Sequence, residues 1–392
     1  MGKVPAEALD RLQDLPSLRT LTLNQWEIPQ GALSRLTKLP QLQALDLCCA
    51  QIGDAEVKQL EGLAQLKVLD ISCNQVTDAG LEHLKGLTGL LWLNVSQTKV
   101  TDAGLAHLRR MSQLQDLDLT MLNVTDGGLE HLQGLTRLRS LDLTDARVTG
   151  AGLRHLKEVQ KLKLLRAKVT DAGLASLQGL NRLRELDLSE TKITDAGLAN
   201  LQRLPRLQSL NLTDTKITDT GLGHLKALPE LRQLALIRVD VKGSGLEHLK
   251  ELPKLRELVL MLDLADGGLG HVEGLGQLES LGIDCQKVTD ADLAHFKGLT
   301  RLKDLQFGFS SREFTDAGLE NLKGLTEMRD LDLARSGITD AGLKNLRPMT
   351  KLERLDLTGA KVTDEGVKDL QKALPNCKME WKPPAKVIGT MP

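Results

Sequence analysis

Eight histidines, five cysteines and a column of aspartates are the side chains of this 392-residue sequence that could do chemistry. Their spacing decides which chemistry is open to them. His83, His107, His131, His155, His224, His248, His271 and His295 recur at one position of a repeating unit, five residues after a common anchor. A column of imidazoles suggests metal. The same position elsewhere holds Asn200, Asn321, Asn345, Ser176, Gln59, Arg11 and Arg35, which share hydrogen-bond donation rather than affinity for zinc. Packed helices about 8–10 Å apart would also keep neighbouring imidazoles from sharing a zinc at ~2.1 Å per bond. The expected role is a donor directed at a carbonyl of the adjacent coil, with no metal and no cofactor.

The cysteines (Cys48, Cys49, Cys73, Cys285 and Cys377) are odd in number and lack framework spacing or a Cys-x-x-Cys pair. Cys49 and Cys73 fall at equivalent positions of adjacent units and can therefore touch. Free thiols in a reducing compartment are the expected state, with the cytoplasm as location. Cys285 has no neighbouring histidine to mark it as a nucleophile. The sequence carries no Gly-rich phosphate loop, no Gly-x-Ser-x-Gly and no His-Glu-x-x-His, so an enzyme is not expected.

Charge and composition narrow the classes further. Lys+Arg 51 against Asp+Glu 52 gives a net charge of −1, without the basic excess of a nucleic-acid binder. No apolar run approaches the roughly 18–20 residues of a membrane span. The opening MGKVPAEALDRLQDL has no apolar signal region, and Ala6 stands where a myristoylation motif needs Ser or Thr. Aromatic content is 2% with no tyrosine, which suits a core of stacked leucines rather than a compact aromatic one.

These residues are set on a repeat. LKVLDISCNQVTDAGLEHLKG, LLWLNVSQTKVTDAGLAHLRR and LQDLDLTMLNVTDGGLEHLQG show the unit. Its anchors are Asp54, Asp78, Asp102, Asp126, Gly150, Asp171, Asp195, Asp219, Gly243, Asp266, Asp290, Asp316, Asp340 and Asp364, preceded by degenerate anchors at Ala6 and Gln30. The step is 24 residues except for 21 (150 to 171), 23 (243 to 266) and 26 (290 to 316). Leu-x-x-Leu-x-Leu ends in strand alternation; after a turn, Asp-Ala-Gly-Leu-x-x-Leu takes up helical spacing. Thr or Asp before the helix is the expected N-cap. Gly62, Gly86, Gly134, Gly179, Gly274, Gly298 and Gly324 are expected as left-handed residues after the helices. A helix of about two turns cannot stand alone and must stack on its neighbours.

Strands stack about 4.8 Å apart and helices about 8–10 Å apart, so the array must curve with strands inside. On these motifs the chain resembles leucine-rich repeat proteins, closest to the cysteine-containing subclass in its bacterial Thr-Asp-Ala-Gly-Leu form. It departs from that subclass where Cys or Asn normally fills the inner turn: here stand Asn74, Thr98, Ala146, Thr191, Thr215 and Ala360, predicting a small or hydroxyl-bonded turn. The resemblance implies a right-handed α/β solenoid (horseshoe) of about 15–16 repeats, with a parallel sheet on the concave face and short helices on the convex face. The expected array spans 1–381, followed by a flexible tail at 382–392. Glu7, Asp10, Arg11 and Asp14 make the first helix polar enough to serve as a cap, and LPNCKMEW resembles a degenerate last strand.

The last lone x of Leu-x-x-Leu-x-Leu points to solvent on the concave face. Along the array it reads Asp46, Asp70, Asn94, Asp118, Asp142, a break, Asp187, Asn211, then Ala235, Val259, Gly282 and Gln306, then Asp332 and Asp356. In the 21-residue unit the position is basic, Lys163 or Arg166 according to where the deletion falls. Like charges on neighbouring strands repel, and relief is expected from the Ser or Thr two residues on and from water. The polar column fails over LALIRVD, LVLMLDL and LGIDC. There Ala235, Ile237, Val259, Met261 and Leu262 are expected to be exposed, beside Phe309 and Arg312 of the lengthened 26-residue unit, with Arg238 and Asp284 as polar rim. The implied function is a non-catalytic protein-interaction scaffold, a monomer binding a protein partner there, with neither nucleic acid nor membrane. A substrate-recognition subunit of a larger enzyme, as in F-box leucine-rich repeat proteins, is the alternative; no F-box-like helical segment precedes residue 6, which counts against it.

Overall fold

In the computed structural model the described residues are 2–262, 268–285, 287–308 and 311–382. The chain divides into two compact units, residues 1–207 and 208–392. In the first, strands Thr20–Thr22, Ala44–Asp46, Val68–Asp70, Trp92–Asn94, Asp116–Asp118, Ser140–Asp142, Lys161–Lys163 and Glu185–Asp187 pair in parallel in chain order. The register is in step, so the central leucines Leu45, Leu69, Leu93, Leu117, Leu141, Leu162 and Leu186 form one buried row. The second unit repeats this with strands Ser209–Asn211, Gln233–Ile237, Glu257–Met261, Ser280–Asp284, Asp304–Phe307, Asp330–Asp332, Arg354–Asp356 and Lys378–Glu380. The last of these is the degenerate strand that LPNCKMEW predicts. Among the described residues no helix is long and apolar enough to cross a membrane.

Apart from the last helix, Asp364–Ala373, the α-helical segments are shorter than the two turns expected. Asp102–Leu105 is one α turn that tightens into the 3-10 segment Ala106–Arg110, a form shared by Asp126–Leu129, Asp171–Leu174, Asp195–Leu198, Asp219–Leu222 and Asp340–Leu343. Burying Leu105 and Leu108 needs no more, because each segment is held by its neighbours rather than by its own ladder. The glycines behind the helices differ from expectation for the same reason. Only Gly179 and Gly274 of the seven are left-handed. The 3-10 turns close through bonds such as Leu87 N–H to Leu84 C=O and Leu135 N–H to Leu132 C=O, which removes the demand for a left-handed cap. The left-handed position lies instead on the other side of the repeat, three residues after the solvent-facing column, at Cys49, Cys73, Gln97, Met121, Asp145, Arg166 and Glu190, then Asp214, Arg238 and Arg335.

Thr-Asp-Ala-Gly-Leu divides its labour between two repeats. Thr is the N-cap residue, and Thr77, Thr125 and Thr315 accept a backbone N–H from the first turn. Asp is the first helical residue and reaches forward. Asp78 accepts the Thr101 N–H and hydroxyl on its two oxygens, both at 2.7 Å, and Asp54, Asp102, Asp171, Asp290, Asp316 and Asp340 do the same for the next repeat. The motif's Gly leaves room for this carboxylate: a Cβ at Gly80, Gly128, Gly318 or Gly366 would overlap the Asp Oδ1 of the preceding repeat.

The irregular units are absorbed locally. The 21-residue step is a deletion before the strand, because Lys163 pairs with both Asp142 and Asp187. Arg166 then occupies the turn and pairs with Asp145 at 2.7 Å and Glu190 at 3.7 Å. Gly150 replaces an anchor Asp with φ 114°, and the helix behind it becomes a pure 3-10 segment, Ala151–His155. At the 26-residue step three of the four phenylalanines fill the interior: Phe307 stacks on Phe296 (6.5 Å) and meets Phe314 (5.3 Å).

Candidate functional site

On the helix-free face of each sheet, the third residue of a short strand has one recurring task. Its side-chain oxygen accepts the backbone N–H two residues on, an Asx turn at the strand's end. Asp70 takes the Ser72 N–H at 2.8 Å and its hydroxyl at 2.5 Å. Asp118 takes Thr120 N–H at 2.9 Å, Asp187 takes Ser189 N–H at 2.9 Å and Asp356 takes Thr358 N–H at 2.8 Å. Asn94 and Asn211 accept in the same manner at 2.9 and 3.0 Å. The Ser/Thr two residues on therefore does relieve the column, chiefly through its backbone. Because an amide oxygen serves as well as a carboxylate at Asn94, Asp118→Asn is expected to change stability by no more than about 0.5 kcal/mol. A urea midpoint showing a loss above about 1 kcal/mol would mean that the negative charge itself is required.

Each Asx turn withdraws an N–H from the inter-strand ladder, and those strands stop after three residues. Ala235, Val259 and Gly282 have no oxygen to offer. Their strands run on to five residues, pairing Leu236 with Leu260, Leu260 with Ile283, Ile237 with Met261 and Met261 with Asp284. Gln306, whose amide is one carbon longer, sits in a four-residue strand. The interruption is thus a change of backbone as well as of polarity, and it widens the sheet where the apolar residues lie.

The structure brings most of the expected site residues together here. Val259 is 43% exposed at the centre, beside Ala235 and Gly282 in register, with half-buried Ile237 and Met261 one pair further along. Arg238 holds the left-handed turn (φ 51°) and is fixed by Asp214, which accepts its Nε at 2.8 Å. Asp214 is held below the usual carboxylate range by this guanidinium. The Asp284 carboxylate lies against Gly308, where a Cβ would come within 2.6 Å of its Oδ2. Beyond the strand ends opens a cleft of about 720 Å³ lined by Thr215, Lys216, Arg238, Asp240, Met261 and Asp284 among others.

Two residues differ from expectation and one lies outside view. Leu262 is only 4% exposed: the lengthened strand keeps alternating, so Met261 faces out and Leu262 turns into the core. Arg312 does not display its guanidinium at a rim. Its side chain is 7% exposed, pairs with Asp332 at 2.7 Å, lies 5.7 Å from the Phe307 ring centroid and donates to the carbonyls of Phe307, Gly308 and Ala334. Phe309 lies outside the described residues, as do Val387, Ile388 and Met391 of the tail.

Other candidates resolve differently. His83, His271 and His295 approach carboxylates of the preceding repeat, Glu61 at 2.5 Å, Glu247 at 3.2 Å and Glu273 at 3.3 Å, rather than coil carbonyls. Asn200 at the equivalent position does reach a backbone carbonyl, that of Asp171 at 3.0 Å. The inner turn is hydroxyl-bonded as expected: Thr98, Thr191 and Thr215 donate to the carbonyls of Val95, Leu188 and Leu212. Cys48, beside Cys49 in sequence, joins Cys49 and Cys73 in one cluster of sulfurs lying within 4.8 Å of one another. A second apolar row, half-buried Ala44, exposed Val68 (37%) and half-buried Trp92, lies in register on the first strand position of the first unit. Following the third strand position alone misses it; the first position carries the same alternation signal.

The parallel strand rows, the helical turns behind them and the regular step between them define an α/β solenoid protein. It is a leucine-rich repeat protein: sequence models of that family match residues 40–100, 181–224, 325–346 and 349–370. No curated protein sequence matches the chain. Among solved structures, a leucine-rich repeat protein of Leptospira interrogans is 17% identical with TM-score 0.61, covering 97% of this chain and 100% of its own. An internalin of Listeria monocytogenes is 23% identical with TM-score 0.53, covering 76% and 82%. The mouse RP105/MD-1 complex aligns at 19% identity and TM-score 0.60, covering 93% of this chain and 71% of that one. These likenesses concern the fold.

Proposed function

We propose that the protein is a non-catalytic binding module whose partner, another protein, docks on strands Gln233–Ile237, Glu257–Met261 and Ser280–Asp284 and reaches into the cleft beyond them. The observation that carries this reading is the coincidence, at one place, of a lost polar column, lengthened strands and a cleft. A strand position that is Asp or Asn along most of the array has here Val259, with Met261 beside it as a second apolar anchor and Arg238, Asp240 and Asp284 as charged rim. Leucine-rich repeats are protein-interaction modules, and the similar mouse RP105 structure is a complex with MD-1. In this reading the chain acts as a cytoplasmic monomer, and its free cysteines fit a reducing compartment.

Val259→Gln combined with Met261→Gln tests the reading. Gln306 already occupies the column of Val259, and Met261 pairs in register with the polar Asp284, so glutamine is compatible with both positions and the melting temperature is expected to stay within a few degrees. Proteins enriched by the wild-type chain from native lysate should be lost or weakened at least about tenfold with the double variant. Undiminished enrichment would move the site elsewhere, with the row Ala44, Val68 and Trp92 as the next surface to vary.

A further inference from the structure

We propose that Cys48, Cys49 and Cys73 form a binding site for one soft, thiophilic metal ion of the Cu(I) class. The three Sγ atoms lie within 4.8 Å of one another, with Cys48 and Cys49 at 3.5 Å. Three sulfurs around one ion at ~2.3 Å per bond stand about 4 Å apart, so small side-chain rotations close the set. All three thiols are half-buried, which leaves an approach from solvent.

The scaffold under the cluster is built to hold this geometry. Cys49 and Cys73 occupy the left-handed turn position of successive repeats (φ 56° and 57°), so their side chains leave the backbone alike. Their N–H groups are fixed, Cys49 to Ser72 C=O at 3.0 Å and Cys73 to Ser96 C=O at 2.9 Å. The Cys48 N–H is held by Asp46 at 3.0 Å. Asn74, buried beneath, ties the two turns together: its amide donates to Leu47 C=O at 2.8 Å and accepts the Ile52 N–H at 3.1 Å. A thiol trio on a cross-tied turn pair is pre-organised in the sense that metal sites require.

The donor set selects the ion. It contains sulfur and no imidazole, because every histidine belongs to the helical side of its repeat. The nearby Asp70 carboxylate is engaged on both oxygens, by Ser72 at 2.5 Å and by the Asn94 amide at 3.1 Å. Structural zinc takes four ligands, whereas thiolate sets select soft ions such as Cu(I). Binding is a ligand exchange without electron transfer. The ion enters as Cu(I) from a donor chelate, S–H bonds break, metal–sulfur bonds form and the protons leave to water, so affinity rises with pH.

The experiment uses the full chain, reduced and anaerobic, titrated with Cu(I) presented as its bicinchoninate complex. The protein is expected to decolorise the chelate to one ion per chain. Cys49→Ser and Cys73→Ser should each weaken uptake at least about tenfold with unchanged melting curves, and Cys285→Ser should leave it intact. Zn(II) presented with a chromophoric zinc chelator should be held far more weakly. Failure to take Cu(I) from the chelate, uptake that persists in both the Cys49→Ser and Cys73→Ser variants, or zinc held as tightly as copper would each overturn the assignment.

Discussion

Asp126→Ala is expected to destabilise the protein by about 3 kcal/mol, more than any change on the solvent face of the sheet. Asp126 is an anchor carboxylate that accepts four hydrogen bonds. It accepts the Thr149 N–H at 3.0 Å and hydroxyl at 2.6 Å, the Gly150 N–H at 3.0 Å and the Gly152 N–H at 2.8 Å. The following unit needs it most, because Gly150 stands where that unit's own anchor should be and its helical segment is only 3-10. Alanine leaves three backbone donors without a partner at a half-buried junction. Burial alone would raise this carboxyl, but the bonds from Thr149, Gly152 and Gly150 outweigh it and hold Asp126 below the ordinary carboxylate range. Its contribution is therefore complete above the unfolded value of about 3.9 and is lost as pH falls through the lower folded value. Urea midpoints at pH 7 should separate wild type from variant, and the gap should narrow below about pH 4. An undiminished midpoint at pH 7 would show that water replaces the carboxylate without cost.

Much of this was legible in the sequence because the repeat averages over its own noise. A single Leu-x-x-Leu-x-Leu is weak evidence of a strand; the same residues recurring at a step of 24 fix strand, turn and helix together. The solvent-facing column was readable for the same reason, and with it the interruption at Ala235, Val259 and Gly282. What the pattern does not encode is the reach of a side chain between repeats. Asp102 reads as a cap for its own helix, yet it binds Thr125 one repeat away, and Gly128 is small because Asp102 lies over it. Leu262 differs from expectation because losing the Asx turn carries the strand, and with it the alternation, two residues further than in the three-residue strands. The third sulfur of the thiol cluster was hidden likewise. Cys48 is a neighbour of Cys49 along the chain, and only the turn's path shows that it converges on Cys73.

Arg312→Ala is expected to cost about 3–5 kcal/mol, which would mark this residue as structural rather than as a contact for a partner. A long basic residue beside a two-residue insertion reads as a rim contact, since insertions in solenoids fall on loops. The folded chain uses it instead to close the insertion. The guanidinium pairs with both oxygens of Asp332 in the next unit, at 2.8 and 2.7 Å, and caps the carbonyls of Phe307, Gly308 and Ala334. Alanine would strand those carbonyls and remove the cation from the Phe307 ring while Asp332 kept only the Ala334 N–H, at 3.0 Å. Arg312→Lys should recover only part of the loss, because a single ammonium cannot span the fork of oxygens that the planar guanidinium meets. Urea unfolding of the three proteins decides the matter. A loss under about 1 kcal/mol for Arg312→Ala would return the guanidinium to the surface as a candidate partner contact. A large loss for alanine with partial recovery for lysine fixes it as the clasp of the 26-residue unit, leaving Arg238, Asp240 and Asp284 as the charged rim of the proposed binding surface.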